Sequence, residues 1–116
     1  MEIKRYEGTG RMSRAVVHNN TIYLCGQTCG DANSDIKEQT KIVLAKVEEL
    51  LAKYDSDKRH ILSITIYIKD ISLFKDMNEI WDDWVEKGFE PARACIEANM
   101  AREDLLVEMS VIAAVK

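Results

Sequence analysis

The sequence predicts an α+β fold of two layers, a mixed β-sheet with two helices on one of its faces. Three observations carry this. The hydrophobic pattern along the chain runs strand, strand, helix, strand, helix, strand, strand. Only two stretches repeat apolar residues near every 3.6 positions, while the others alternate with period two. A length of 116 residues suits one domain, 1–116, with a core of its own and leaves no room for a second.

The first two strands form a hairpin. Ala15, Val16, Val17 and His18 lead into Asn19-Asn20, and Thr21, Ile22, Tyr23 and Leu24 lead out. Asparagine tolerates positive φ, so this pair suits a two-residue turn. Gly26 and Gly30 mark a bend and a loop. The first helix starts near Ser34 or Asp35. Its apolar stripe is Ile36, Thr40, Val43, Leu44, Val47, Leu50 and Leu51, with Lys37, Glu38, Lys41, Lys46 and Glu49 off it. The polar run from Tyr54 to Lys58 ends the helix.

A strand follows over Ile61 to Ile68, with Leu62, Ile64, Ile66 and Ile68 on the buried face and Ser63, Thr65 and Tyr67 on the other. The second helix is expected to take Ser72 as its cap, to carry Phe74, Met77, Ile80, Trp81, Trp84 and Val85, and to stop at Gly88. Strands over Ala92 to Ala98 and Leu105 to Val115 complete the sheet. Its second face still holds Leu, Val, Tyr and Cys side chains with no helix to cover them, so burial against other subunits is expected.

The formal net charge is −4, and no stretch interleaves cations with exposed aromatics. Binding that follows phosphates needs a basic face, so nucleic acid is an unlikely partner. Lys4, Arg5, Arg11 and Arg14 read as a solvated edge. No apolar run nears the roughly 20 residues of a membrane span. The stretch from Met1 to Tyr6 is charged and has no hydrophobic signal region, so a cytoplasmic protein is expected. Three cysteines argue against a disulfide framework. Cys25 and Cys29 lack zinc-like spacing and no histidine stands near a cysteine in sequence, so no metal is expected.

Candidate chemistry concentrates near the C-terminus. Alternation over Ala92 to Ala98 sets Arg93, Cys95 and Glu97 on one face, read here as the uncovered one. Ala94, Ile96 and Ala98 fall on the other, read as packing under a helix. Arg93 could grip a carboxylate ligand with its planar fork, or pair structurally with Glu97 or Glu108. Glu108, in an otherwise apolar strand, is either paired or poised for proton work.

Pro91-Ala92-Arg93-Ala94-Cys95-Ile96-Glu97, followed by Leu106-Val107-Glu108-Met109, resembles the C-terminal signature of the RidA/YjgF family of reactive-intermediate deaminases. Tyr23-Leu24-Cys25-Gly26-Gln27 and Met77-Asn78 with Trp81 and Trp84 are similar to two further stretches of that family. The resemblance implies a chorismate-mutase-like fold, a homotrimer with ligand clefts between subunits, and hydrolysis of enamines and imines to 2-oxo acids and ammonia without a cofactor. It implies that Arg93 clamps the substrate carboxylate and that Glu108 orients or activates water. Gly26 and the backbone around Cys95 would touch the ligand, and Asn78 would reach the cleft from the neighbouring subunit. The chain departs from the pattern at three places. Met12 stands where a tyrosine is common, Cys25 where a serine is common, and Asn99 to Asp104 lacks a common proline. A trimer that binds small carboxylates in the same cleft without turnover is the alternative.

Overall fold

The computed structural model describes residues 2–31 and 33–116. Met1, which opens the charged N-terminal stretch, lies outside the described residues, as does Ala32. Strands β1 (Lys4–Gly8), β2 (Ser13–His18) and β3 (Thr21–Leu24) lead into helix α1 (Ile36–Lys53). Then come β4 (Ile61–Ile68), α2 (Phe74–Trp84), β5 (Ala92–Glu97) and β6 (Val107–Ala114), with short 3₁₀ turns at Lys58–His60 and Ile71–Leu73. The sheet order is β1-β2-β3-β6-β4-β5, so the last strand inserts between the third and fourth. Among the described residues only β4 and β5 run parallel, joined by the α2 crossover; the other strand pairs are antiparallel. The mixed sheet with two helices is the α+β architecture expected.

The core lies between the sheet and α1. Val43, Leu44, Val47 and Leu51 of the helical stripe meet Ile22, Ile64, Ile66, Val107, Met109 and Val111 of the strands, all fully or almost fully buried. Each such side chain contributes about 1.5–3 kcal/mol over leaving it in water. Asp35 caps α1, its carboxylate accepting from Glu38 N–H. Asn19 and Asn20 both take positive φ, 53° and 62°, which turns the β2–β3 hairpin in two residues.

Four expectations need correction. The first strand, β1, is absent from the sequence reading. Its residues, Lys4-Arg5-Tyr6-Glu7-Gly8, are mostly charged and show no apolar alternation because it is an edge strand, where charge blunts further pairing. Leu62 is half exposed and Ile61 is buried in its place, because a bulge between Ile61 and Ser63 breaks the alternation at the strand's start. Ser72 does not cap the second helix; Asp70 caps the preceding 3₁₀ turn by accepting from Ser72 N–H, and α2 grows from that turn. Gly88 does not stop α2. The helix ends at Trp84 with an extended Val85, and Gly88 sits three residues on at φ 90°.

Two side-chain clasps tie the helices' ends to the sheet. Tyr54, just past α1, donates its hydroxyl to Glu7 of β1, and Lys53 lies 3.5 Å from the same carboxylate. Glu7 takes positive φ, 54°, which suits a residue that breaks the strand's alternation. Gln39, fully buried in α1, donates to the Ser34 and Asp104 carbonyls and accepts from Leu106 N–H. It thereby joins the loop before α1 to the loop before β6.

Replacing Gln39 with leucine keeps the volume and loses three hydrogen bonds, leaving backbone groups without partners. The expected cost is roughly 2–4 kcal/mol, read as a lower urea midpoint at constant m-value; a midpoint equal to the parent's would contradict it. The Tyr54 hydroxyl holds the Glu7 carboxyl below the usual glutamate range, helped by Lys53, and burial with the Glu7 bond pushes the Tyr54 phenol up to about 12. A lowered carboxyl contributes stability above its unfolded pKa and loses it as pH falls through the folded value. The raised phenol contributes below its unfolded pKa and loses it as pH rises toward about 12. Tyr54→Phe should return the Glu7 titration toward the ordinary range in a carboxyl-detected NMR experiment, and an unmoved titration would show the clasp is not formed in solution.

Candidate functional site

Arg93 stands on the edge strand β5, exposed to solvent. Its strand partner is Ile64, and Cys95 is paired with Ile66; both isoleucines are buried under the helices. In-register neighbours project to the same side of a sheet. Arg93 and Cys95 therefore lie on the helix-covered face, the reverse of the expected assignment. Ala94 and Ile96 take the open face, where Ile96 is about half exposed. Pattern alone could not decide the side, because both sets are short and neither is strongly apolar.

On that face α2 builds the arginine's surroundings. Arg93 Nη1 donates to Asn78 Oδ1 at 2.7 Å. The guanidinium carbon sits 5.1 Å from the Trp81 ring centroid and 5.8 Å from that of Phe74. These three residues follow at positions 74, 78 and 81, one helix face. Asn78 thus holds Arg93 within a single chain, which corrects the expectation that it arrives from a neighbouring subunit. Neither Glu97 nor Glu108 pairs with Arg93, so among the described residues the cation has no carboxylate partner. Glu97 instead accepts from Ile71 N–H at 2.8 Å, fastening the turn before α2 to the end of β5.

Glu108 lies on the other face. Val107, Met109, Val111 and Ala113 of β6 are buried, so Glu108, Ser110 and Ile112 point to the open side. Glu108 is paired across the sheet with Tyr67, and Tyr67 with Ile96. Gln27 and Met109 exchange both backbone hydrogen bonds, at 2.8 and 3.0 Å, which carries Gly26 alongside Glu108. A Cβ on Gly26 would come 2.1 Å from Glu108 Oε2, so glycine leaves the carboxylate its place. Glu108, Tyr67, Ser110 and residues 98–101 line a cavity of about 310 Å³.

The residues singled out from the sequence as one site therefore fall into two half-sites: Arg93, Asn78 and Cys95 on the helix side of the sheet edge, and Glu108 with Gly26 on the open side. The sequence places Phe74 and Trp81 on the apolar face of the second helix, with Trp81 also part of the family resemblance, and gives neither a role at the site. Their place beside Arg93 could have been found from the helical spacing shared with Asn78.

Burial pushes the Cys95 thiol up and Arg93 only partly offsets it; burial likewise raises Cys25. Cys25 accepts a hydrogen bond from the Gln27 amide. Among the described residues no three His, Cys, Asp or Glu side chains gather as metal ligands would. No helix is long and apolar enough to cross a membrane, again among the described residues.

Residues 2–115 match the protein family described as Endoribonuclease L-PSP. The RutC family protein YoaB of Escherichia coli K12 is 37% identical over 115 residues, 99% of this chain and all of that protein. A RutC family protein of Haemophilus ducreyi is 36% identical over 113 residues, 97% of each chain. Among solved structures, NMB1025 of Neisseria meningitidis, described as a member of the YjgF protein family, superposes with a TM-score of 0.95 at 40% identity, covering 100% of this chain and 97% of that one. YyfA of Yersinia pestis, from the Rid protein family, gives 0.90 at 29% identity over 98% and 100%.

Gly26→Ala should force the Glu108 carboxylate into another rotamer while the fold survives, because the clash falls on the far end of a flexible side chain. The expected cost is about 0.5–1.5 kcal/mol. A crystal structure of the variant with Glu108 unmoved would contradict this.

Proposed function

This chain is a member of the RidA/YjgF family, and from that premise we propose that it hydrolyses reactive enamine and imine acids to 2-oxo acids and ammonia. The observation that supports the reading is the state of Arg93: an exposed guanidinium, steered by a neutral amide and two aromatic rings, with no carboxylate partner among the described residues. Such a group suits an incoming carboxylate, which its planar fork can hold by two parallel hydrogen bonds.

The chemistry then follows. The substrate is a 2-imino acid, reached from the enamine by protonation at carbon. Its protonated imine is already electrophilic. Arg93 anchors the carboxylate, which removes the entropy of finding the right pose. Glu108 accepts a proton from water as the water oxygen attacks the imine carbon. Glu108 returns that proton to the amine nitrogen, then takes the hydroxyl proton as the carbon–nitrogen bond breaks and passes it to the departing ammonia, so that water and the iminium acid give a 2-oxo acid and ammonium. No cofactor enters the balance.

Arg93 and Glu108 occupy opposite faces of one sheet, so a site that uses both takes them from two copies. The open face offers the means of assembly. Tyr23, paired with Ile112, and Ile96 are about half exposed there, with no helix over them among the described residues. A homotrimer with its clefts between protomers satisfies both requirements. In this arrangement Asn78 and Cys95 belong to the Arg93 side, and Gly26 to the Glu108 side. A cytoplasmic setting, where pyridoxal-phosphate enzymes release such intermediates, fits the reading. The family's description as an endoribonuclease raises RNA cleavage as a second reading; a net charge of −4 opposes it.

The test generates 2-aminoacrylate with a serine-eliminating enzyme and follows pyruvate. The parent should speed its release, and Arg93→Ala should lower kcat/KM by about 10²-fold or more. Arg93→Lys should be nearly as damaged, since it keeps the charge and loses the fork. Two inactive variants, Arg93→Ala and Glu108→Gln, should regain activity when unfolded together and refolded as mixed assemblies, because some clefts then receive both intact groups. Equal pyruvate release with and without the parent protein would end the enzymatic reading, and a lone subunit in light scattering would end the shared cleft.

A further inference from the structure

A cavity of about 360 Å³ belongs to neither half-site. It lies between α1 and the β1–β2 end of the sheet, lined by Arg14, Gln27, Lys46, Glu49 and Leu50 together with the paired Glu7 and Lys53. We propose that it is a binding site for a small zwitterion, a free α-amino acid, held by its carboxylate on Arg14 and Lys46 and by its ammonium on Glu49 and the Gln27 carbonyl oxygen.

The charges support this in three ways. Lys46 and Glu49 are three residues apart on one helix, a spacing at which opposite charges can pair. They form no ion pair here, and Glu49 forms none with Lys53 four residues on. Lys53 turns instead to Glu7, which Tyr54 also holds. That leaves two cations, Arg14 and Lys46, and one carboxylate, Glu49, facing a cavity without partners among the described residues. Arg14 reaches far enough toward this side to lower the Glu7 pKa.

Gln27 is over nine-tenths buried, and its amide nitrogen donates to the carbonyl and the thiol of Cys25. Its Oε1 therefore remains an acceptor with no partner among the described residues. Gly30, at φ 67°, leaves room for the Lys46 ammonium, which a Cβ there would meet at 3.3 Å. A simple anion would find Glu49 and the Gln27 oxygen repulsive. A simple cation would find Arg14 and Lys46 repulsive. A ligand with both charges a few ångströms apart satisfies all four groups, and its α-carbon substituent can rest on Leu50.

The site is independent of the deaminase reading and can be tested without turnover. The twenty common L-amino acids are screened at millimolar concentration for a rise in Tm of the full chain, and binders are titrated by calorimetry. At least one should bind. Its 2-oxo acid and its decarboxylated amine, each lacking one charge, should bind at least about tenfold more weakly, the loss expected for one ionic contact. Lys46→Ala and Glu49→Gln should each weaken binding by a similar factor. Both positions are exposed on α1, so neither variant is expected to unfold. Arg93→Ala should bind as the parent does. The proposal is overturned if no amino acid binds, if binding survives Lys46→Ala and Glu49→Gln together, or if Arg93→Ala abolishes it.

Discussion

The two-residue period of a β-strand decides what this molecule can do. Rows of in-register residues run across the sheet, and each row belongs to one face. Arg93 sits in the row of Ile64 and Val111, beneath the helices; Glu108 sits in the row of Tyr67 and Ile96, on the side without helices. Their spacing in sequence is short, yet a sheet stands between them. Rotamer changes cannot bring the two groups together. Chemistry that needs both would have to join one copy's edge to another copy's face.

Each half is held by contacts remote from the reacting groups. The arginine rests on α2, and α2 is fixed to β5 through the bond between Glu97 and Ile71 N–H. The glutamate rests on β6, whose start is set by Gln39 and by the backbone pair of Gln27 and Met109. Arg102 joins the loops on this side by reaching Asp31, Asp104 and the Gly30 carbonyl. Exposed ion pairs contribute little singly. A buried amide with three backbone partners contributes more, because each lost bond leaves a group out of reach of water.

The sequence disclosed most of the fold because the fold rests on periodicity. The α1 stripe, its Asp35 start and the Asn19-Asn20 turn are local signals that burial reinforces. The features it concealed depend on contacts distant in the chain. Strand β1 is held by pairing with β2 and by Tyr54, while its own residues read as a charged tail. The Leu62 bulge shifts a strand by one residue without changing its composition. The side faced by Arg93 follows from its pairing with Ile64, and no pattern within Ala92 to Ala98 encodes a partner strand. Arg93, Glu108 and Gly26 were visible as candidates, since a charge or a glycine in an apolar strand needs a reason. That they form two separate half-sites became legible only with strand order and register.

The arginine's choice of neighbours has an electrostatic consequence. A carboxylate beside it would fix the side chain as well as Asn78 does, and would also cancel its charge. A ligand would then have to displace an existing ion pair, with little net gain. The Asn78 oxygen orients the guanidinium through one N–H and leaves the full charge and the remaining donors available. The Trp81 and Phe74 rings attract the cation without removing its donors, and they limit the orientations it samples. Lysine at this position would keep the attraction and lose the plane, since an ammonium has no fork to align with a carboxylate. The site is thus built to hold its cation in place while leaving it unsatisfied, the condition under which an acid gains most by binding.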